Sequence, residues 1–134
     1  MSSQLPQQWL NIANEDHIVA QLVLDEEHFS HACFLSQQCI EKSLKAYLIA
    51  KTNQYPRVHN LVDLLMLCAA IDANFSQFTA ACALVDKYYI PTRYPAGIPG
   101  GLPSGPSSKK HGEQAITFAK TILDYVALQI QFTP

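Results

Sequence analysis

Residues 29–51 read FSHACFLSQQCIEKSLKAYLIAK, and the spacing of their apolar side chains decides how this chain folds. Small and apolar residues recur along the whole stretch with a helical period, at Phe29, Ala32, Cys33, Ser36, Ile40, Leu44, Tyr47 and Leu48. Positions with that period lie on one face of an α-helix. We therefore predict one long helix over about residues 29–51, with one face turned towards a core.

Two further helices are expected on either side of this stretch. Before it, Pro6 suits a first helical turn, and an apolar period continues as far as the acidic residues 25–27, which predicts helix 1. After it, residues 52–59 are typical of a loop. Asn60 can then cap a short helix 3, because Asp63 stands at the capping-box position three residues later.

Two more helices complete the chain. Helix 4 is predicted to start at about Asn74 and to end at Pro91, because proline has no amide hydrogen and crowds the preceding turn. Its apolar stripe is Phe75, Phe78, Cys82, Val85 and Tyr89. Ser108 can cap helix 5. The stripe of helix 5 is Ala115, Ile116, Ala119, Ile122, Leu123, Val126 and Ile130.

Glycine and proline are concentrated between the last two helices. All five glycines lie within residues 97–112, and five of the eight prolines lie within residues 91–106. Hairpins and phosphate-binding turns need glycine at particular positions, so its absence from the first 96 residues argues against a β-rich or dinucleotide-binding fold. We predict a long loop over residues 91–110, and such a loop in a compact domain is usually either functional or disordered.

These segments together predict an all-α protein. Its 134 residues leave room for one domain, covering residues 1–134 with a core over about residues 7–131. The predicted architecture is an antiparallel up-and-down helical bundle of four main helices plus a short one, with a long Gly/Pro loop before the last helix.

The composition excludes several classes of function. The net charge of −2 leaves no broad basic surface for nucleic acid, although a local positive site stays open. The four cysteines have neither CxxC nor zinc-ribbon spacing, so we expect buried, reduced thiols. No apolar run reaches 18 residues, and the N-terminus has no positively charged leader. We expect a cytoplasmic protein with no membrane partner, no metal site and no cofactor.

Helices 1 and 2 carry polar residues at positions that a bundle could bury. Asp16 lies on the apolar stripe of helix 1, so it is either a structural partner of a lysine or tyrosine, or an acid that lines a pocket. On helix 2, Gln38, Glu41, Lys42 and Lys45 form one polar stripe, in which Glu41 and Lys45 have the favourable i,i+4 order. A solvated helix face would explain this stripe; a polar cleft or a dimer contact is the alternative.

The segment YYIPTRYP, residues 88–95, differs from the rest of the chain. Arg93 is one of only two arginines, and it is flanked by tyrosines and locked between prolines. A guanidinium group fits phosphate and tyrosine rings offer stacking surfaces to a base, so Arg93, Tyr89 and Tyr94 are candidates for a ligand site. The alternative is a structural arginine that binds a neighbouring carboxylate, such as Asp16 or Asp86.

The order of these motifs resembles that of HEPN domains, the higher eukaryotes and prokaryotes nucleotide-binding family. Ala32-Cys33-Phe34, followed by SQQCIEKSLKA at residues 36–46, is similar to the helix-2 signature of that family. Further similar motifs, in order, are Trp9…Ala13…Asp16, His59-Asn60-Leu61, YIPTRYP at residues 89–95, and Ala115-Ile116 with Ala119…Ile122-Leu123. The resemblance spans about residues 9–128.

This resemblance implies a helical bundle that commonly dimerises and is often paired with a minimal nucleotidyltransferase in prokaryotic two-gene modules, some of them toxin–antitoxin systems. Several HEPN families are metal-independent RNases that use an arginine and a histidine separated by four to six residues. Here the first histidine after Arg93 is His111, eighteen positions on, and Arg57 and His59 stand too close together. RNase activity by that motif is therefore not expected.

The chain also departs from the family at the start of helix 5, where Lys109 and Lys110 stand in place of acids. Two lysines in a first turn oppose the helix dipole, but the same helix N-terminus with two lysines suits an anion. If the preceding loop folds back, Arg93, Lys109 and Lys110 converge on a phosphate.

We thus expect a non-catalytic HEPN-domain homodimer that binds a nucleotide, RNA or a minimal nucleotidyltransferase partner. The alternatives are a metal-independent RNase or toxin of a toxin–antitoxin pair, and a purely structural interaction module. No residue is predicted to be catalytic. The residues predicted to bind a nucleotide or an anion are Arg93, Tyr94, Tyr89, Lys109, Lys110, Lys42, Lys45, Gln38, Asp16 and His59.

Overall fold

The computed structural model of this chain describes residues 4–93, 101–102 and 105–131, together with the side chains of residues 4–88 and 107–131. Its elements, in chain order, are α1 (Leu5–Asp25), α2 (Phe29–Thr52), α3 (Leu61–Ile71), a 3-10 helix (Ala73–Phe78), α4 (Thr79–Arg93), β1 (Gly101–Leu102), β2 (Gly105–Pro106) and α5 (Lys109–Gln131). The two short strands pair antiparallel with each other. The predicted all-α class is confirmed.

Contacts between α1 and α2 show that these helices are antiparallel. Asp16 forms an ion pair with Lys42, while Trp9, about two turns nearer the start of α1, lies against Lys45, further along α2. The turn between the two helices is tight, and Glu27 adopts a left-handed conformation in it, with a φ of 66°. The same turn brings the end of α1 next to the beginning of α2.

The last two long helices are also antiparallel. The rings of Phe78 and Tyr125 lie 5.2 Å apart at one end of the pair, and the Tyr88 hydroxyl donates to Gln114 Oε1 over 3.1 Å nearer the other end. The predicted up-and-down order of the four long helices is therefore confirmed.

The first turn of α5 packs closely on the beginning of α2, and the two helices run parallel. A Cβ atom on Gly112 would stand 2.7 Å from Leu24 Cδ1 and 3.7 Å from the Phe29 carbonyl oxygen, so a larger residue here would require the Leu24 side chain to move. About two turns further along α5 and nearly three turns further along α2, the Cys39 thiol approaches the Ala119 carbonyl oxygen. The N-terminal ends of α2 and α5 consequently lie at the same end of the bundle.

Aromatic rings fill the core at the opposite end. The Tyr47 and Phe75 centroids are 4.4 Å apart, and Phe75 meets Tyr125 edge to face at 5.1 Å, an arrangement that aromatic pairs favour. All four cysteines are buried free thiols, as predicted. In the part of the chain that the structure describes, no helix combines the length and the apolar character needed to cross a bilayer.

Two polar side chains hold the start of α3. Asn60 is its N-cap, as predicted, because its side chain accepts a hydrogen bond from the Asp63 amide over 2.8 Å. Buried Asp86 of α4 accepts from the amides of Leu61 at 3.0 Å and Val62 at 3.1 Å. Burial raises the pKa of the Asp86 carboxyl, and these two hydrogen bonds oppose that rise. Asp86 therefore fixes α3 to α4.

The prediction for helix 4 was wrong at both of its ends. Asn74 begins no α-helix: Asp72 caps a 3-10 helix there by accepting from the Asn74 amide, and α4 starts only at Thr79. Nor does Pro91 end α4, which continues to Arg93. Proline in a last turn removes a single hydrogen bond, so the helix can pass through it.

The loop that was predicted from residue 91 therefore starts at least three residues later, and it contains β1 and β2, which the sequence did not predict. At its other end Ser108 precedes α5 as expected, and its hydroxyl accepts from the His111 amide over 3.3 Å. The predicted stripe of α4 is buried through Val85, and Tyr88 is buried beyond it.

Candidate functional site

Lys45 is the most deeply buried charged residue among those that the structure describes, with only 2% of its surface exposed. Its ammonium group lies 3.0 Å from Glu41 Oε2, one turn earlier on α2. It also lies 3.2 Å from His59 Nδ1, in the segment between α2 and α3. A buried charge needs such partners, because an unpaired one is strongly destabilising.

Two aromatic rings complete the surroundings of this ammonium group. Lys45 Nζ lies 5.9 Å from the centroid of Trp9 and 5.3 Å from that of Tyr55, within the range of cation–π attraction. The two rings contact each other, with centroids 5.5 Å apart. We call Trp9, Glu41, Lys45, Tyr55 and His59 the Lys45 cluster.

The outer side of the Lys45 cluster is open to solvent. Tyr55 is 52% exposed, the His59 side chain is 63% exposed, and Trp9 is partly exposed. The cluster thus presents an aromatic and imidazole surface whose inner side rests on a buried cation. Such a surface can stack on a planar ring.

The hydrogen bond from Lys45 fixes the tautomer of His59. An ammonium group can only donate, so His59 Nδ1 accepts and the ring proton is on Nε2. With most of the side chain exposed, this N–H is available to an acceptor on a ligand. His59 Nδ1 is also 3.9 Å from Glu41 Oε2.

Exposure alternates along the segment that carries Tyr55 and His59. Tyr55, Arg57 and His59 are exposed, whereas Pro56 and Val58 are half-buried, and Val58 packs against the core. Within the described ranges, Arg57 makes no ion pair or hydrogen bond through its side chain. Arg57 thus lies between Tyr55 and His59 in the sequence, and its guanidinium group has no side-chain partner in the part of the chain that the structure describes. The sequence signal for this segment is the alternation of Tyr55, Arg57 and His59 with Pro56 and Val58.

The polar stripe of α2 is not a solvated helix face. The first of the two interpretations of Gln38, Glu41, Lys42 and Lys45, that they lie on a solvent-exposed face, was therefore wrong. Lys45 and Gln37 are buried, and Glu41 and Lys42 are only partly exposed, because α1 and the segment before α3 cover them. Gln38 donates to Gln37 over 2.7 Å. The stripe instead forms a polar contact inside the fold.

Asp16 forms an ion pair with Lys42, which agrees with its interpretation as a structural partner of a lysine. Its Oδ2 lies 2.6 Å from Lys42 Nζ, and both side chains are mostly covered. Since the pair joins α1 to α2 next to the Lys45 cluster, Asp16 and Lys42 neutralise each other there.

The other predicted residues lie at the opposite end of the bundle or outside the described atoms. Lys109 and Lys110 are exposed in the first turn of α5, and no described contact joins them to the Lys45 cluster. That turn packs near Phe29, and Lys45 stands 16 residues beyond Phe29, which is about 24 Å along the axis of α2. Tyr94 and the side chains of Tyr89 and Arg93 lie outside the described atoms.

A polar depression of about 320 Å³ opens at that opposite end, lined by Glu27, His28, Phe29, Ser30, His31 and Ser107. His28 and His31 contact each other edge to face, with centroids 6.2 Å apart. Across the described part of the chain, no three histidine, cysteine or acidic side chains are grouped so that they could hold a metal ion.

The cysteines do not provide a reactive group. Burial raises the pKa of Cys39, Cys68 and Cys82 to about 12, and that of Cys33 to about 11. Since the thiolate is the nucleophilic form, these thiols are inert at neutral pH.

Comparison with known proteins agrees with this architecture. The profile of the HEPN domain matches residues 6–129. The crystal structure of TT1696 from Thermus thermophilus superposes with a TM-score of 0.79 at 32% identity, covering 94% of this chain and 98% of that one. ST0689, described as an archaeal HEPN homologue, gives 0.74 at 30% identity, with 93% and 97% covered. The comparison with curated proteins finds no matching sequence.

Proposed function

This chain belongs to the HEPN domain family, and we propose that it is a non-catalytic module that binds a nucleotide or RNA at the Lys45 cluster. The observation that carries the proposal is the exposed Tyr55 ring, which contacts Trp9 at an interplanar angle of 51° and lies over the buried ammonium group of Lys45, to which His59 is hydrogen-bonded. Exposed Arg57, which lies between Tyr55 and His59 in the sequence, adds a cation without an ion pair among the described residues.

The chemistry of these groups matches the two parts of a nucleotide. A base can stack on Tyr55 and Trp9, and aromatic stacking contributes about 1–3 kcal/mol per base in proteins that bind single strands. A phosphate can accept hydrogen bonds from the guanidinium fork of Arg57 and from His59 Nε2. Stacking supplies most of the affinity, because Glu41 already neutralises Lys45.

A titration of purified protein with ATP, GTP and a short oligoribonucleotide tests this proposal by calorimetry. We expect Tyr55→Ala to weaken binding of whichever ligand binds the wild type. The double variant Lys109→Gln/Lys110→Gln serves as the matched control and should bind normally. Absence of binding by the wild type to all three ligands would overturn the proposal.

The same titration tests the second location, the anion site proposed at Arg93, Tyr89, Tyr94, Lys109 and Lys110. Its support is the exposure of both lysines at the start of α5. Binding that is lost in Lys109→Gln/Lys110→Gln and kept in Tyr55→Ala would place the ligand there instead.

We further propose that the protein is a homodimer in the cytoplasm and that its partner is a minimal nucleotidyltransferase. Exposed apolar side chains support association: Ile18, Leu22, Met66, Leu67 and Ile71. Free thiols agree with a reducing compartment. A strictly monomeric mass in light scattering would contradict the dimer, and a gene neighbourhood without a nucleotidyltransferase would contradict the partner.

The alternative of an RNase or toxin has weaker support, because no arginine is separated from a following histidine by four to six residues. An RNA-cleavage assay with Arg93→Ala and His59→Ala controls decides this point. A purely structural interaction module is the remaining alternative, and it predicts no ligand binding at all.

A further inference from the structure

Helix α3 is apolar on nearly all of its faces. Of its eleven residues, only Asp63 is charged, and the others are all apolar. A helix that is hydrophobic all round is usually buried on every side. The core covers only one side of α3, which consists of Leu61, Leu64, Leu65 and Cys68. The opposite side of this helix therefore calls for an explanation.

That outer side is exposed in the part of the chain that the structure describes. Met66 is 65% exposed, Leu67 46% and Ile71 45%, and Ala70 is exposed as well. None of the four is among the described side chains that pack on the core. Positions four apart are neighbours on a helix, so these residues form one apolar patch. We call Met66, Leu67, Ala70 and Ile71 the α3 face.

The C-terminal end of the α3 face is negatively charged. Asp72 directly follows Ile71 as the C-cap of α3, where the helix dipole already places a partial negative charge. The last turn of α3 contains no basic residue, and Asp72 forms no ion pair in the described ranges. Its carboxylate accepts hydrogen bonds from the Asn74 amide and the Tyr125 hydroxyl, which are neutral and leave its charge in place.

The other end of the α3 face carries a second carboxylate. Asp63 is exposed and stands one turn before Met66. It accepts a hydrogen bond from the Asn60 side chain, but it too has no ion pair among the described residues. The ammonium group of Lys51, at the end of α2, lies over the Tyr47 ring and pairs with neither acid. Each end of the α3 face therefore has an acid, and α3 itself has no base.

We infer that the α3 face binds an amphipathic helix of another protein, whose apolar stripe is flanked by lysine or arginine side chains. Cations at the ends of such a stripe complement Asp63 at one end and Asp72 with the helix dipole at the other. Apolar anchors one turn apart on the partner helix suit a patch of this kind. The unbranched, flexible side chain of Met66 adapts to the shape of such anchors. This inference goes beyond the proposed function and does not depend on it.

Charge argues against two other occupants of the α3 face. In a two-fold contact between two copies, antiparallel α3 helices would place Asp63 of each copy beside Asp72 of the other, and parallel helices would bring the two negative ends together. Anionic lipids would likewise meet only acids on α3. The contact between two copies is thus left to the exposed side chains of Ile18 and Leu22 on α1.

The test titrates the purified protein with two synthetic helical peptides by calorimetry. They share one leucine stripe and differ only in the flanking residues, which are lysine in one and glutamate in the other. We expect the lysine peptide to bind at least about fivefold more tightly. Asp72→Asn, which keeps an acceptor for the Tyr125 hydroxyl, should reduce this preference.

Variants and one resonance locate the binding. Met66→Gln/Leu67→Gln should weaken the lysine peptide at least about tenfold, and Ile18→Gln/Leu22→Gln, the matched change on α1, should bind it normally. The chain has only one other methionine, Met1, so the methyl resonance of Met66 is easily assigned in the wild type. It should shift when the lysine peptide is added, and this measurement needs no variant.

Several results would overturn the inference. They are absence of binding by the lysine peptide, equal affinity for the two peptides, and an affinity or a Met66 resonance that does not respond as expected. A wild-type dimer that becomes a monomer in Met66→Gln/Leu67→Gln would also overturn it, because a second copy would then cover the α3 face. None of these results affects oligonucleotide binding, which Tyr55→Ala tests separately.

Discussion

Lys45 Nζ lies 3.2 Å from His59 Nδ1, a contact between a buried helical residue and an exposed one 14 positions later in the chain. Because the ammonium group donates, His59 accepts at Nδ1, and its Nε2 is on the side of the ring that faces away from Lys45. The same ammonium group lies beneath the Trp9 and Tyr55 rings. One buried charge therefore organises the exposed surface to which we assign binding.

Removal of that charge should destabilise the fold. Lys45→Met keeps most of the aliphatic stem but leaves Glu41 without its cation, and we expect the free energy of unfolding to fall by about 3 kcal/mol. The matched control is Lys120→Met, which breaks the exposed i,i+4 pair with Asp124 and should lower it by about 0.5 kcal/mol or less. Urea unfolding measures both. Equal effects of the two variants would show that Lys45 is not a buried ion-pair residue.

Asp86 should stabilise the fold because it accepts two backbone hydrogen bonds at the start of α3. Asp86→Ala leaves the amides of Leu61 and Val62 without an acceptor at a buried helix start, so we expect a loss of about 2 kcal/mol. Asp63→Ala removes an exposed acid from the same helix and should lose less than about 1 kcal/mol. Thermal unfolding of the two variants in parallel checks this order, and a reversed order would contradict it.

The pH dependence of stability should include a contribution from His17. Burial, and then the positive charge of Lys120, lower the pKa of His17 below its ordinary value of 6.5, while Asp124 opposes them. The unfolded chain therefore binds this proton first as the pH falls, so stability is full above pH 6.5 and declines below it. Unfolding free energies of the wild type measured from pH 7.5 to pH 5 should decline more steeply than those of His17→Gln. Parallel curves would contradict this assignment.

The thiols should react only after unfolding. Since burial raises the pKa of all four cysteines, an aromatic disulfide reagent at pH 8 should label none of them rapidly in the native protein and all four in guanidinium chloride. Fast labelling of any one thiol in native buffer would contradict the buried positions.

The helices could be predicted from sequence because their signals are local. The period of residues 29–51 predicts α2, and Asn60 with Asp63 predicts the start of α3. The end of α4 was predicted wrongly from Pro91. A proline destabilises a helix through the backbone hydrogen bond that it cannot donate, and in a last turn, with only two helical residues after it, this cost is small enough for the helix to continue.

The candidate site could not be predicted as a whole, because it joins three segments that are distant in the sequence. Trp9, Lys45 and Tyr55 share no local period, and only the fold brings them together. The i,i+4 order of Glu41 and Lys45 is typical of solvated faces, so their burial beneath α1 and the segment before α3 was not visible in it. The sequence predicts Lys45 and His59 as ligand-binding residues, but no local pattern indicates that they contact each other.

The most direct test of the central claim uses Trp9, the only tryptophan of the chain and a member of the Lys45 cluster. Its fluorescence is measured while a single-stranded oligonucleotide is added to the wild type and to Lys109→Gln/Lys110→Gln. Binding at the Lys45 cluster predicts a saturable change in Trp9 emission in both proteins, with the affinity found by calorimetry. Oligonucleotide binding that leaves the emission of Trp9 unchanged would contradict the account.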